Sequence, residues 1–172
     1  MKKRIEEKVT ASIQNFRLPR YDEIPNVGLY LEQTTKYISE YLEPLQDIAI
    51  TGSMISNYVK KKLIPNPIKK QYYREQIAYL IFIAISKTVL SLDNIGILLE
   101  KQKKTYESRI AYDYFCSEFE NILHQIFQLK DQTESISVEA TEEKILLRNT
   151  IITIAHKIHL DSYFNTIGQS TD

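Results

Sequence analysis

The sequence predicts an all-α protein: a winged helix-turn-helix head, with room for a small β wing, and a C-terminal helical body. Apolar residues recur every three or four positions through most of the 172 residues, which is the period of amphipathic helices. One short stretch instead combines lysines, prolines and tyrosines. The charge is also uneven, because residues 1–76 carry a net +4 and residues 77–172 a net −4. A basic head on an acidic body is typical of a DNA-binding protein with a separate assembly or sensing part.

The first 17 residues predict an N-terminal helical arm. Ile5, Val9, Ile13 and Phe16 follow one another at spacings of four, four and three residues, so they share a helix face. We expect this face to pack on a partner subunit. The cations of residues 2–4 have two interpretations, phosphate contact or a frayed terminus, and a terminal position favours the second.

A first helix of the head is predicted from Val27 to Leu42. Its apolar stripe contains Leu31 and Ile38, and Pro44 ends it because proline cannot continue a helix. This helix would be the supporting helix of a helix-turn-helix motif. The connection that follows, residues 43–49, is longer than the tight turn of the simplest motifs.

The second helix is predicted from about Gly52 to Leu63, with Thr51 as its N-cap. One face is apolar, and its residues are Met54, Ile55, Tyr58, Val59 and Leu63. The opposite face carries small, amide and cationic side chains, namely Ser53, Ser56, Asn57, Lys60 and Lys61. Asparagine can pair with an adenine edge and lysine neutralises phosphates, so this face suits a helix in the major groove.

The chain then turns at Pro65 and Pro67 and returns through a basic, tyrosine-rich segment, residues 69–73. Residues 49–76 contain six cations and one anion, a net charge of +5. A basic helix, a proline turn and a basic return strand predict a wing. The simpler alternative is a solvated lysine-rich surface, but the prolines and tyrosines favour a DNA interface.

Several positions of this stretch match a known pattern. These are Thr51 as a helix cap, Asn57-Tyr58 on the recognition helix, Leu63-Ile64-Pro65 at its end, and Tyr72, Glu75 and Ile77 after the wing. In this pattern the chain resembles the DNA-binding head of MerR-type regulators, and more closely a MerR-related bacterial domain family of unknown function. The resemblance covers roughly residues 18–100, which we take as the helix-turn-helix domain. Regulators with such heads generally act as dimers, so it implies a homodimer here.

The domain closes with two further predicted helices. The segment from Arg74 to Leu90 is apolar on nearly all sides and is expected at the centre of the head. Ser91 then caps a short helix whose core residues are Ile95, Leu98 and Leu99.

Residues 101–172 predict a helical region for dimerisation or effector binding. A helix from Tyr106 to Leu129 has a continuous apolar seam, the polar residues 131–140 predict a loop, and a last helix runs from Thr141 to Phe164. That helix carries Leu147, Ile151, Ile154 and Ile158 on one stripe and Ile145 and Ile152 on another. We expect one face to pack on the body and the other on a partner subunit.

Other chemistry is weakly indicated. Cys116, His124, His156 and His159 are residue types that bind zinc, but no CxxC or HExxH spacing joins them, so ordinary packing is favoured. Cys116 also has a redox alternative, although its phenylalanine neighbours favour a buried apolar role. No glycine-rich phosphate loop or catalytic constellation is visible. We therefore expect no enzyme activity, no cofactor and no metal.

These observations predict a cytoplasmic, sequence-specific DNA-binding transcriptional regulator, a dimer that reads a two-fold-symmetric site. No signal peptide is visible, and the longest apolar run, residues 77–85, is too short to span a membrane. The expected partner is double-stranded DNA. The predicted contact residues are Ser53, Ser56, Asn57, Tyr58, Lys60, Lys61, Lys69, Lys70, Tyr72 and Arg74. The alternative is a helical protein-interaction module whose basic patch binds an acidic protein.

Overall fold

The computed structural model describes residues 2–129 and 141–169. Within this part of the chain seven α-helices and one two-stranded antiparallel sheet form the fold, which confirms an all-α protein with a small β element. The helices are α1 (Lys2–Ile13), α2 (Leu31–Leu42), α3 (Gly52–Lys60), α4 (Arg74–Ser86), α5 (Leu92–Thr105), α6 (Ser108–Ile126) and α7 (Glu142–Gly168). The strands are β1 (Leu29–Tyr30) and β2 (Gln71–Tyr72).

Helix α4 is the central element of the fold. Every residue from Gln76 to Ser86 is buried, because α2, α6 and α7 pack around this helix. The sequence predicted this position from the lack of a polar face. The predicted helix continued to Leu90, whereas α4 ends at Ser86 and a short turn leads to Ser91, whose hydroxyl caps α5 as expected.

Helices α1, α6 and α7 form the rest of the core. The apolar stripe of α1 is buried against α7, and Phe16 beyond its end meets Phe119 edge-to-face at 5.8 Å. Phe119 stacks on Phe115, which in turn contacts Phe82 of α4. The expectation that the N-terminal arm packs on a partner subunit is therefore wrong, because its apolar face is covered within the chain.

Residues 18–24 are hydrogen-bonded to α6 and so connect the predicted head to the body. The guanidinium of Arg20 donates two hydrogen bonds to Glu120, at 2.6 and 3.1 Å. The Tyr112 hydroxyl donates to the carbonyl of Pro19 at 2.8 Å. One continuous buried cluster contains residues from both predicted segments, 18–100 and 101–172.

Two further differences concern element boundaries. The residues before Leu31 were predicted as helix, but Leu29 and Tyr30 form β1 and pair with Tyr72 and Gln71. The helix predicted after Ser91 as short is also longer than expected, because α5 continues through residues 101–104 to Thr105. The loop predicted over residues 131–140 lies outside the described residues.

Candidate nucleic-acid interface

Helix α3 is held by one face and exposes the other. The Thr51 hydroxyl accepts a hydrogen bond from the amide of Met54 at 3.2 Å, which caps the helix as predicted. Ile55 and Tyr58 are buried, and α2 packs against α3 as the supporting helix of a helix-turn-helix motif does. The residues predicted for the opposite face, Ser53, Ser56, Asn57, Lys60 and Lys61, are all exposed.

A left-handed residue ends α3. The amide of Leu63 bonds to the carbonyl of Tyr58 at 3.0 Å and that of Lys62 to Val59 at 2.9 Å, so the chain reverses sharply. Lys62 makes this reversal with a φ of 59°, a conformation that glycine or asparagine adopts more easily. Leu63 then enters the core, while the Lys62 side chain stays exposed.

The wing is a tight two-residue hairpin. Ile68 and Gln71 exchange backbone hydrogen bonds at 3.0 and 2.9 Å, and the two residues between them are Lys69 and Lys70. Their φ values are 49° and 65°, so both are left-handed, as a type I′ turn requires. The hairpin thus presents two adjacent ammonium groups at its tip, and β2 attaches it to β1 beside α2.

Buried Gln76 fixes the loop between α3 and the wing. Its amide nitrogen donates to the carbonyls of Pro65 and Asn66 at 3.2 and 3.1 Å, and its amide oxygen accepts from the Tyr73 nitrogen at 2.8 Å. The side chain therefore bonds to both ends of the wing. The sequence alone does not reveal this role, because glutamine at the third position of a helix indicates only a capping box.

Three of the predicted contact residues are not available to a partner. Tyr58 and Tyr72 are 2% and 4% exposed, so both rings belong to the core, and desolvation raises the pKa of each hydroxyl. Their positions on the apolar side of α3 and on the inner face of the short sheet explain this placement. These two residues must be removed from the predicted interface.

Arg74 is also used within the chain. Its Nε donates to the carbonyl of Ile24 at 2.8 Å and its Nη2 to that of Asp22 at 3.2 Å. The Asp22 carboxylate lies 3.7 Å from its Nη1, and the guanidinium lies over the Tyr21 ring. Arg74 therefore anchors the start of α4 to residues 21–24, and its guanidinium is engaged within the chain.

The remaining cations form an uncompensated basic surface, which consists of Lys60, Lys61, Lys62, Lys69 and Lys70. All five are exposed, and none of them forms an ion pair with a described residue. The nearest acid in sequence, Glu75, accepts a hydrogen bond from Ser108 of α6 at 2.5 Å. Lys62 was not among the predicted contact residues, although the run of three lysines is visible in the sequence.

Two exposed aromatic residues flank the wing and were not predicted as contacts. Tyr30 pairs with Gln71 across the sheet and is 54% exposed, and Tyr73 follows β2. Tyrosine hydroxyls commonly contact phosphates and bases. Their position depends on the pairing of β1 with β2, which no local sequence pattern indicates.

The alternative chemistries gain no support from the geometry. Burial raises the pKa of the Cys116 thiol to about 12, and this thiol faces the carbonyl of Pro19, so it stays protonated and packed. Nowhere in residues 2–129 and 141–169 do three His, Cys, Asp or Glu side chains approach closely enough to bind a metal ion. In those same ranges no helix is long and apolar enough to cross a membrane.

Comparison with known proteins places the chain in one family. Neither the curated proteins nor the solved structures contain a significant match. A family match covers residues 19–115, which is more than half of the chain. It begins within the segment of residues 18–24 and contains α2 to α5, the whole basic surface and the first turns of α6. The protein belongs to DUF1836, a family defined by a domain of unknown function.

Proposed function

We propose that the protein is a non-enzymatic, sequence-specific transcriptional regulator that binds double-stranded DNA through α3 and the wing. The observation that carries the proposal is the basic surface: five exposed lysines at the end of α3 and at the tip of the wing, none of them ion-paired with a described residue, together with the exposed polar face of α3. An interface with phosphates needs such uncompensated cations, because binding then releases the counterions of the DNA.

The two parts of the surface have different roles in this proposal. Ser53, Ser56 and Asn57 project from α3 and read base edges in the major groove. Lys60, Lys61, Lys62, Lys69 and Lys70 contact phosphates and fix the position of the helix. Three of these lysines hold left-handed backbone conformations that cost on the order of 1 kcal/mol each for a residue with a Cβ. Retaining lysine at such positions supports a functional need for the charge.

We further propose that the regulator is a homodimer in the cytoplasm. Near the end of α7, Leu160, Phe164 and Ile167 are exposed at spacings of four and three residues, so they share one helix face. A two-fold contact through this face gives each dimer two heads, and the body then sets the spacing of the half-sites. Sedimentation equilibrium tests this point, because Phe164→Glu should convert a dimer to a monomer. A monomeric wild-type protein would contradict it.

A second candidate function is a protein-interaction module whose basic surface binds an acidic protein. The observation that favours it is Ile68, which is 61% exposed beside the lysines of the wing turn. An exposed apolar side chain at the edge of a charged patch is typical of a protein interface.

Fluorescence anisotropy with a mixed-sequence duplex separates the two functions. The logarithm of the affinity should fall linearly with that of the salt concentration, with a slope of about −0.9 per phosphate contacted. Lys69→Gln and Lys70→Gln should each weaken all sequences alike and reduce the slope by about one contact. The matched control is Lys8→Gln on α1, which should change neither quantity. A salt-independent signal, or equal effects at Lys8 and Lys69, would contradict DNA binding.

A further inference from the structure

The two-stranded sheet has one buried face and one exposed face. Leu29 and Tyr72 lie opposite each other in the antiparallel pair, and the ring of Tyr72 is buried in the core. The next pair along the sheet is Tyr30 and Gln71, and directly paired residues share a face. Since successive side chains of a strand alternate between faces, Tyr30 and Gln71 lie on the side away from the core.

Two further side chains extend this exposed face. Ile68 forms a bridge with Gln71 across the wing turn, so the two residues share a face. Tyr73 follows two residues after Gln71 in extended backbone, and its hydroxyl lies 3.5 Å from the Gln71 amide oxygen. Ile68, Tyr30 and Tyr73 are all exposed. We name the four residues Tyr30, Ile68, Gln71 and Tyr73 the outer wing face.

Gly28 allows the Gln71 side chain to pack closely on the backbone before β1. A Cβ atom on residue 28 would lie 2.7 Å from the Gln71 amide oxygen and 2.8 Å from the Gln71 Cβ, which is too close for van der Waals contact. This packing adds to the backbone pairing of β1 with β2. The two exposed tyrosines are therefore attached to paired backbone, so their positions relative to the wing turn are defined.

The composition of the outer wing face indicates a contact surface. Single exposed apolar residues are common on proteins, whereas a contiguous apolar and aromatic patch marks an interaction site. Here an isoleucine and two tyrosines occupy neighbouring positions of one sheet. Tyrosine joins an apolar ring to a hydroxyl that can donate a hydrogen bond. The face thus suits a partner that presents both carbon atoms and hydrogen-bond acceptors.

The charge beside the outer wing face favours DNA as that partner. Lys69 and Lys70 occupy the turn between Ile68 and Gln71, and neither forms an ion pair with a described residue. A DNA backbone offers phosphate oxygens to ammonium and hydroxyl groups, and it offers deoxyribose carbons to apolar side chains. Half or more of the hydrogen bonds between proteins and DNA are made to phosphate and sugar.

We propose that the outer wing face contacts the sugar–phosphate backbone of the duplex, with the Tyr30 and Tyr73 hydroxyls on phosphates and Ile68 on deoxyribose. The inference rests on the proposed DNA function, and it adds a contact region from β1 and β2 to α3 and the lysines. Its contribution does not depend on base sequence, because the backbone is the same at every base pair. It assigns Ile68 to DNA and not to an acidic protein.

Salt dependence distinguishes these contacts from those of the lysines. A lysine that neutralises a phosphate releases a counterion, whereas an uncharged side chain releases none. Tyr30→Phe and Tyr73→Phe should each weaken duplex binding about fivefold, because one hydrogen bond to phosphate is lost. Ile68→Ala should weaken it to a similar extent, because apolar contact area is lost. All three should leave the slope of affinity against salt unchanged, unlike Lys69→Gln.

Two matched controls lie on α7. Tyr163→Phe also removes a tyrosine hydroxyl, and Ile145→Ala also shortens an exposed isoleucine. Neither should change the affinity for the mixed-sequence duplex or the salt slope.

Tethered cleavage locates the face on the DNA. Cys116 is the one cysteine of the chain, and burial raises the pKa of its thiol to about 12, so it stays unreactive. Ile68→Cys therefore gives one accessible thiol, to which an iron–EDTA reagent can be attached. The labelled protein should cleave the bound duplex, whereas Lys8→Cys on α1, labelled in the same way, should leave it intact.

The outcomes separate this inference from the DNA function. If the wild type binds no duplex, both fail. If it binds with a salt slope that depends on Lys69, while Tyr30→Phe, Tyr73→Phe and Ile68→Ala bind equally well, the DNA function stands and the outer wing face is not part of the interface. Equal cleavage by the labelled Ile68→Cys and Lys8→Cys proteins would also overturn the inference.

Discussion

At the scale of single residues, Gln76 determines where the loop before the wing lies. A buried amide that donates twice and accepts once has its hydrogen-bonding groups almost fully used. No other described side chain bonds to both Pro65 and Tyr73. The position of the wing thus depends on Gln76, a buried residue that is not part of the basic surface.

Replacing Gln76 with Leu should lower the free energy of unfolding by about 1–3 kcal/mol, because the carbonyls of Pro65 and Asn66 lose their donors. The wing should also loosen, which weakens DNA binding. Urea denaturation measures the first effect and anisotropy the second. Gln14→Leu, at an exposed position after α1, is the control and should be neutral. An unchanged unfolding midpoint for Gln76→Leu would show that these bonds contribute little.

Glu118 on α6 predicts a pH-dependent stability. Its side chain is 5% exposed, and desolvation raises its pKa above the ordinary value of 4.5, with Arg148 at 3.6 Å opposing this in part. The folded state therefore holds the proton more tightly than the unfolded state. The stabilisation of the fold by this proton is present at low pH, and it is lost as the pH rises through the pKa of Glu118 in the folded state.

Glu118→Gln should consequently be more stable than wild type at pH 7, by on the order of 1 kcal/mol, because no buried charge remains. The two proteins should become equal when the pH falls below 4. Chemical denaturation at both pH values measures the difference, with the exposed Glu100→Gln as control. A less stable variant at pH 7 would mean that the pair with Arg148 outweighs desolvation.

Residue-level expectations succeeded where the determinant is local. Thr51 and Ser91 cap their helices as predicted, because a cap needs only the amide three positions on. The assignment of Tyr72 to the interface is wrong because tertiary packing buries its ring, and the guanidinium of Arg74 bonds to residues within the chain. Tyrosine and arginine occur both on surfaces and in protein interiors. Only the position of residues 21–24 shows that the Arg74 guanidinium is bonded within the chain.

At the scale of elements, the wing turn combines a left-handed backbone with two exposed lysines, Lys69 and Lys70. Asparagine and glycine are the residues preferred at the two positions of a type I′ turn. The double substitution Lys69→Asn and Lys70→Gly should therefore stabilise the fold by about 1 kcal/mol while it weakens DNA binding. Thermal denaturation and anisotropy measure the two effects on one protein.

The matched control for this pair is Lys103→Asn on α5, a lysine outside the wing and on a helix surface. It should slightly destabilise the helix and leave DNA binding unchanged. If the double variant were less stable than wild type, the left-handed conformations of Lys69 and Lys70 would not cost the fold free energy. If it bound DNA like wild type, the wing would not contact phosphates.

The helices were predictable from their apolar period, because each buries one stripe, or in α4 nearly the whole surface. Strand β1 could not be predicted from a sequence period. Two residues have no detectable alternation, and Leu29 is extended only because Tyr72 pairs with it. The wing was predicted from Pro65 and Pro67, but its register depends on that same long-range pairing.

At the scale of the molecule, the family segment ends inside α6, although α1 and α7 complete the core. Ile5, Val9 and Ile13 are buried, and Ile151, Ile154 and Ile158 of α7 are buried as well. Since the apolar face of α1 packs against α7, removing α7 would expose that face to solvent. A chain that ends after Ile126 should therefore lose cooperative unfolding. Near-ultraviolet circular dichroism and the urea m-value measure this, and a sharp two-state transition would contradict it.

A cavity of about 140 Å³, lined by Phe82, Leu98, Phe115 and Leu147, lies where α4, α5, α6 and α7 meet. It could not be predicted, because its walls come from four helices whose packing angles no sequence pattern defines. The basic surface could be predicted, since its lysines are close in sequence and α3 has a clear polar face.

The most direct test of the DNA function is selection from a pool of random duplexes, with sequencing of the retained fraction. We expect a two-fold-symmetric motif whose half-sites lie about one helical turn, or a multiple of it, apart. Retention should be steeply salt-dependent, and Asn57→Ala should broaden the motif. The absence of any enriched sequence, together with retention that does not depend on salt, would contradict the DNA function.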